Sequence, residues 1–214
     1  MPDGTTLALF IVTAISINLT PGPDMLYVVA RSLGGGRKAG IVSALGLSIG
    51  YIVHTLLAAS GLAALLLSST LAYNTIRVIG AVYLIYLGLR TILSRTETAS
   101  LTAETEAPPP EETADLKAVF RQGTLTSTLN PSIALFFLAL LPQFVEPARG
   151  AVVAQIVVLG LVFNTTATTT HTAIALLTGT AGDWLRRRED ASRWQQWFTG
   201  GLLILLGARV LLGG

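Results

Sequence analysis

Long apolar segments separated by short polar ones dominate the pattern of hydrophobic and polar positions along the chain. Residues 39–68, 72–93 and 148–178 each reach or exceed the about 20 residues that a helix needs to cross a bilayer. The pattern therefore predicts an all-α membrane protein with about six transmembrane helices. The predicted spans are Gly4–Val29, Ala39–Ser68, Ala72–Leu93, Thr124–Val145, Ala148–Thr178 and Trp197–Leu212.

The composition supports this prediction, because 51% of the 214 residues are hydrophobic and 12% are charged, against roughly 25% charged in soluble proteins. Pro2 and Asp3 stand where a signal peptide would carry basic residues, so we expect the first segment to be retained as a helix. Zero cysteines and two histidines argue against a metal centre. Without a nucleotide-binding loop, a zinc-protease motif or a nucleophile elbow, we expect no enzyme activity and no cofactor.

The basic residues predict how the helices are oriented. They lie at the ends of apolar segments, so we expect the lipid bilayer, and no nucleic acid, as the partner of a chain with net charge +2. Eleven of the 14 fall on one predicted side, which places those loops in the cytoplasm and both termini on the outer side. The eleven are Arg31, Arg37, Lys38, Arg90, Arg95, Lys117, Arg121, Arg186, Arg187, Arg188 and Arg193; the others are Arg77, Arg149 and Arg209. Three tryptophans, Trp184, Trp194 and Trp197, are expected to anchor the interface beside the last cytoplasmic loop.

A polar segment divides the chain into two halves. Residues 94–116 are rich in Thr, Glu and Pro and are predicted to form a flexible cytoplasmic linker between domains of residues 1–93 and 117–214. Each domain holds three predicted helices, and an odd number of crossings inserts the second domain upside down. The sequence therefore predicts two inverted three-helix repeats, an arrangement of many secondary transporters.

Both repeats begin with a helix broken by proline, at Asn18-Leu19-Thr20-Pro21-Gly22-Pro23 and at Thr128-Leu129-Asn130-Pro131. Because proline has no N–H, the breaks should free the carbonyls of Ile17, Leu19 and Ser127. Free carbonyls suit an ammonium, and the N–H groups of a restarted helix suit a carboxylate. The breaks predict a cavity for an amino-acid zwitterion, and the alternative is a kink that serves packing alone.

Three ionisable side chains, Asp24, His54 and His171, are candidates for proton coupling. A carboxylate at a helix centre costs roughly 2.5 to 3.5 kcal/mol, so we expect Asp24 to accept the proton, to bind an ammonium, or only to cap the restarted helix. His54, near Tyr51, can relay protons or be a packed histidine. The predicted substrate-binding residues are Asn18, Thr20, Pro21, Gly22, Pro23, Asp24, Asn130, Pro131, Ser132 and Asn164. The threonines that follow Asn164 can bond to their own helix.

Gly46 and Gly50 lie four residues apart in the second predicted helix. This spacing lets two helices approach closely. We expect it to serve packing within the chain first and a homo-oligomer second.

Five short segments carry a resemblance to a known family: Pro21-Gly22-Pro23, Gly80-Ala81-Val82-Tyr83-Leu84-Ile85-Tyr86-Leu87-Gly88, Leu129-Asn130-Pro131, Phe136-Phe137 and Pro142-Gln143-Phe144. In these segments the chain resembles the lysine exporter and homoserine/threonine resistance (LysE/RhtB) family of amino-acid exporters. The resemblance spans nearly the whole chain, and it implies a six-helix antiporter of the plasma (inner) membrane with a small-molecule amino-acid substrate and no prosthetic group. Ser132 stands where members often carry a lysine, and Asn164 stands near a position that is often acidic.

We therefore predict a secondary active exporter of amino acids or their derivatives that works by proton antiport with alternating access. Asp24 is the first candidate for carrying the proton, and His54 is the second. The alternative is a passive channel or a structural membrane module.

Overall fold

A computed structural model describes residues 2–62, 64, 69–93, 115–185 and 189–212, and within these residues it contains helices and no strands. Most of the predicted linker, Arg95, and Arg186 to Arg188 lie outside the described residues, as does the side chain of Trp184. A π-helical turn, Ala58–Leu62, extends α2, and a short 3-10 helix, Pro147–Arg149, precedes α6. The α-helices are α1 Gly4–Asn18, α2 Pro23–Leu57, α3 Thr70–Leu93, α4 Leu116–Thr128, α5 Pro131–Phe144, α6 Val152–Leu185 and α7 Glu189–Leu211.

Helix α2 folds back on itself at Gly36, whose φ of 74° lies in a region that favours glycine. The hydroxyl of Tyr51 lies 2.7 Å from the carboxylate of Asp24, although a straight helix would separate these residues by about 40 Å. Near the turn, a Cβ added to Gly40 would lie 2.0 Å from Oγ of Ser32. We call residues 23–35 the first arm of α2 and residues 37–57 its second arm.

Two breaks interrupt the helices, at residues 19–22 between α1 and α2 and at residues 129–130 between α4 and α5. Their backbones hydrogen-bond in the same way. Leu19 N–H donates to Ile15 and Thr20 N–H to Ile17, while Leu129 N–H donates to Leu125 and Asn130 N–H to Ser127. A proline occupies the first turn of both restarted helices, and α4 and α5 meet at a bend of 51°. The two breaks therefore share a backbone conformation as well as a short sequence.

Two predicted helix boundaries were wrong. Asp115 caps α4 through the N–H of Lys117, so the helix begins at Leu116, inside the predicted linker and well before Thr124. The first predicted span does not end at Val29, because the first arm continues to the turn at Gly36. A capping Asp at the end of a polar segment was the overlooked signal for α4.

The second arm of α2 lies at the centre of the fold, against α4 and α6, while α3 packs against α7 and α5. The predicted close approach at Gly46 and Gly50 occurs within the chain. A Cβ at Gly46 would lie 2.4 Å from the carbonyl oxygen of Phe120, and one at Gly50 would lie 2.5 Å from Cβ of Ser127. Helix α4 can therefore lie directly on the second arm.

Outside this core many large apolar side chains are exposed. Leu56, Leu71, Val82, Trp197 and Leu205 each expose more than half of their side chain, as expected where lipid covers the surface. By length and composition, three described segments are candidate membrane spans: Pro23–Gly61, which folds back at Gly36, Asn74–Leu93 and Val152–Thr178. The bent pair α4 and α5 makes a fourth candidate, and α1 and Gln196–Leu211 are shorter apolar helices. The chain is a multi-pass membrane protein.

Candidate functional site

The two breaks meet at the carboxylate of Asp24. This residue is the second of α2, and only 6% of its surface is exposed. Its Oδ2 accepts a hydrogen bond from the Tyr51 hydroxyl at 2.7 Å, and its Oδ1 accepts one from Nδ2 of Asn130 at 2.9 Å. Of the three alternatives for Asp24, a helix cap alone does not hold, because Gly22 is the N-cap and the carboxylate bonds to Tyr51 and Asn130.

Asn130 joins the second break to the first. It is the N-cap of α5, and its Oδ1 accepts the N–H of Ser132 at 3.0 Å. Pro131 supports this geometry because its fixed φ suits the first helical position, where no N–H is needed. The other end of the same amide holds Asp24, so the start of α5 is connected directly to the start of α2.

Two buried histidines flank the carboxylate. Nδ1 of His171, from α6, lies 3.5 Å from the Tyr51 hydroxyl. Nε2 of His54 lies 3.1 Å from the carbonyl oxygen of Ser127, whereas the hydrogen bonds of the Asp24 carboxylate go to Tyr51 and Asn130. His171 thus contacts the Asp24–Tyr51 pair, whereas His54 is bound to the backbone of the second break.

The carbonyls of Ile17 and Ser127, which were expected to be free, are already occupied. The Ser127 carbonyl accepts from Asn130 N–H as well as from His54, and the Ile17 carbonyl accepts from Thr20 N–H at 2.9 Å. A tightened turn replaces each missing helical bond, as is common at helix ends. The expectation of free carbonyls was therefore wrong for Ile17 and Ser127.

Aromatic rings form an apolar wall beside this polar cluster. Phe163 packs edge-on against Tyr51 with centroids 5.4 Å apart, and Phe137 lies 5.8 Å from the ring of His54. Phe136 contacts both phenylalanines. The polar cluster around Asp24 and the apolar wall of phenylalanines are thus next to each other in the core.

The remaining predicted residues differ in their surroundings. Asn18 is buried, and its Nδ2 has no hydrogen-bond partner. The hydroxyl of Thr20 donates to the carbonyl of Ser16, and Asn164 accepts from Thr168, so neither bonds to the cluster.

The side chain of Ser132 is exposed. Of the break residues, Pro21 and Pro23 are exposed and Gly22 is half-buried.

Tyr51 and Ser127 are the residues that the sequence reasoning missed. Tyr51 is completely buried, and it shares a face of the second arm with His54, three residues later. Ser127 is completely buried, and its hydroxyl makes no hydrogen bond. The signal in the sequence was the spacing of Tyr51 and His54. Three residues apart, they place a phenol and an imidazole on the same face of an otherwise apolar helix.

The model of the LysE type translocator family matches residues 15–214, which include every residue of this cluster. The chain belongs to this family. The resemblance found in its sequence is confirmed. The family's description is that of a translocator, and several described apolar helices are long enough to cross a membrane.

Named relatives of this LysE-type chain include a leucine efflux protein of Salmonella typhimurium (strain LT2), 36% identical over 137 residues, which are 64% of this chain and 62% of that protein. An uncharacterized membrane protein, YrhP, of Bacillus subtilis (strain 168) is 27% identical over 208 residues, 95% of this chain and 97% of that protein. The match to the leucine efflux protein thus covers less than two thirds of that relative. No solved structure matches this chain significantly.

Proposed function

We propose that this protein is a secondary active exporter of amino acids that exchanges its substrate for protons by alternating access. The observation that carries the proposal is the direct hydrogen bond between Asp24 and Asn130, which joins the two helix breaks at one buried carboxylate. A buried carboxylate between broken helices suits a site that binds and releases a charged group.

The proposed membrane arrangement has six crossings in two inverted repeats. Helix α1 with the first arm makes the first crossing, the second arm the second, and α3 the third. The pair α4 and α5, then α6, then α7 make the other three. The turn at Gly36 and the matching backbone bonds of the two breaks support this arrangement. With Arg37 and Lys38 at the turn, the positive-inside rule puts the turn in the cytoplasm and both termini outside.

The proposed substrate is a neutral amino acid with an apolar side chain, such as leucine. Asp24 would hold the ammonium, and the N–H groups at the starts of α2 and α5 suit the carboxylate. Phe136, Phe137 and Phe163, which pack together as the apolar wall beside the cluster, would contact the substrate side chain. The name of the leucine efflux relatives supports the same substrate class.

Competition for Asp24 gives the proposed coupling. An ammonium needs the charged carboxylate, and a proton removes that charge, so the two occupy the site in turn. Both oxygens of Asp24 now accept hydrogen bonds from neutral donors, Tyr51 and Asn130. Such donors can release the carboxylate when either the proton or the substrate arrives.

Efflux from proteoliposomes tests this function. Vesicles loaded with labelled leucine, and with a panel of charged and polar amino acids, should lose leucine faster when a pH gradient is imposed. Leucine release at the same rate with and without the pH gradient would instead indicate a passive channel. No release of any amino acid would contradict the transport function itself.

The variant Asp24→Asn tests the residue that is proposed to couple. It keeps the size of the side chain but cannot bind a proton, so gradient-driven efflux should fall by at least about tenfold. Asp115→Asn is the matched control, because Asp115 is an exposed cap and asparagine caps equally well. Normal coupling in Asp24→Asn would show that another group carries the proton.

A further inference from the structure

We propose that Tyr51 is the link through which protons pass between Asp24 and His171, a role that rests on the proposed antiport and specifies its path. The three side chains come from three segments: the first arm of α2, the second arm, and α6. The Tyr51 hydroxyl lies 2.7 Å from Oδ2 of Asp24 and 3.5 Å from Nδ1 of His171.

The hydrogen-bond directions suit a relay. Tyr51 donates its proton to Asp24, so the lone pairs of its oxygen can accept from His171. When Nδ1 of a protonated His171 gives its proton to the Tyr51 oxygen, the Tyr51 hydroxyl proton moves to Oδ2 of Asp24. His171 loses one proton, Asp24 gains one, and Tyr51 stays neutral throughout. Release of the proton follows the same steps in reverse.

Distance and burial define what the relay requires. A contact of 3.5 Å is longer than an ordinary hydrogen bond by roughly 0.5 Å, so a small movement of α6 connects or interrupts the path. Tyr51 and His171 are 0% and 2% exposed, and Phe163 covers the edge of the Tyr51 ring. Water therefore has little access to Asp24 from the side of Tyr51 and His171. These two side chains provide the route for the proton.

The groups around Tyr51 make His171 the proton partner. His54 is on the same arm, but its Nε2 contacts the Ser127 carbonyl. The neutral residues Ser127 of α4 and Asn130 at the start of α5 border the cluster, through the carbonyl that holds His54 and the amide that holds Asp24. Among the residues that the structure describes, Asp24 and His171 are the two titratable groups within hydrogen-bonding reach of the Tyr51 hydroxyl.

The variant Tyr51→Phe removes the hydroxyl and keeps the ring that packs against Phe163. In proteoliposomes with labelled leucine, two processes are compared: accumulation driven by a pH gradient, and exchange of internal for external leucine at equal pH. Exchange needs no net proton movement. The relay predicts that gradient-driven accumulation falls by at least about tenfold while exchange persists.

Tyr27→Phe is the matched control, because Tyr27 also lies on α2 and donates its hydroxyl to a carbonyl, that of Val119 at 2.6 Å. It should leave both processes unchanged. His171→Gln should reproduce the Tyr51→Phe result, and it tests the same path if Tyr51→Phe fails to insert.

The outcomes separate the relay from the proposed function. A wild-type protein that shows no gradient dependence contradicts the antiport. If the wild type is gradient-dependent and Tyr51→Phe accumulates leucine equally well, the antiport stands and the relay is wrong. Loss of exchange together with accumulation in Tyr51→Phe would also overturn the relay, because Tyr51 would then be needed to hold the site together.

Discussion

At the scale of single residues, Asn130 has two roles that depend on opposite ends of its amide. Its oxygen caps α5 through the N–H of Ser132, and its nitrogen donates to Asp24. An acceptor is needed for the cap and a donor for the carboxylate, and asparagine supplies both. Substitutions can therefore remove the contact to Asp24 while leaving the start of α5 intact.

Asn130→Asp and Asn130→Ser are the substitutions that separate these roles, because aspartate and serine both cap helices well. Both variants should insert normally. Both should lose efflux at neutral pH by about tenfold or more, because a hydrogen bond from the Asn130 amide to a charged group contributes roughly 1.5 to 3 kcal/mol. Only Asn130→Asp should recover at acidic pH, where two facing carboxylates share one proton. Efflux measured across pH tests this difference, and equal pH profiles would contradict it.

At the scale of helices, close packing depends on glycines whose neighbours leave no room for a side chain. A Cβ at Gly200 of α7 would lie 2.6 Å from the Gly88 carbonyl oxygen and 2.5 Å from Cγ1 of Ile92, both on α3. The next residue, Gly201, has nothing within 4 Å of such a Cβ. Adjacent residues on one helix therefore face opposite surroundings.

Alanine at these two positions should have opposite effects. Gly200→Ala should destabilise the protein by about 1 to 3 kcal/mol, because α3 and α7 must move apart. Gly201→Ala should be neutral or stabilising by up to roughly 1 kcal/mol, because alanine favours the helix. Thermal unfolding in detergent, followed by circular dichroism, compares the pair. Equal stability of the two variants would mean that α3 and α7 do not pack at Gly200.

At the scale of the whole molecule, the proposed inverted repeat makes a prediction about topology. The chain has no cysteine, so a single cysteine placed at Thr5 or at Ala103 is the only thiol available for labelling. In intact cells, a membrane-impermeant maleimide should label Thr5→Cys and should label Ala103→Cys only after permeabilisation. Labelling of both without permeabilisation would contradict an odd number of crossings before the linker.

Much of this architecture was predictable because it depends on local composition. Apolar length predicted helices for a bilayer, and the prolines predicted both breaks, since a missing N–H has the same effect in any fold. The motifs around those breaks also identified the family correctly. Boundaries were less accurate, as at Leu116, because helix ends depend on single capping residues such as Asp115.

The sequence by itself thus determined a multi-pass helical protein of the LysE type, with Asp24 and Asn130 beside its two breaks. Only the tertiary structure decided which groups touch. The turn at Gly36 brings Tyr51 to Asp24. The rotation of α6 directs His171 at the Tyr51 hydroxyl, whereas His54 contacts the Ser127 carbonyl. Helical periodicity assigns residues to a face, but the partner of that face depends on how helices turn and rotate against each other.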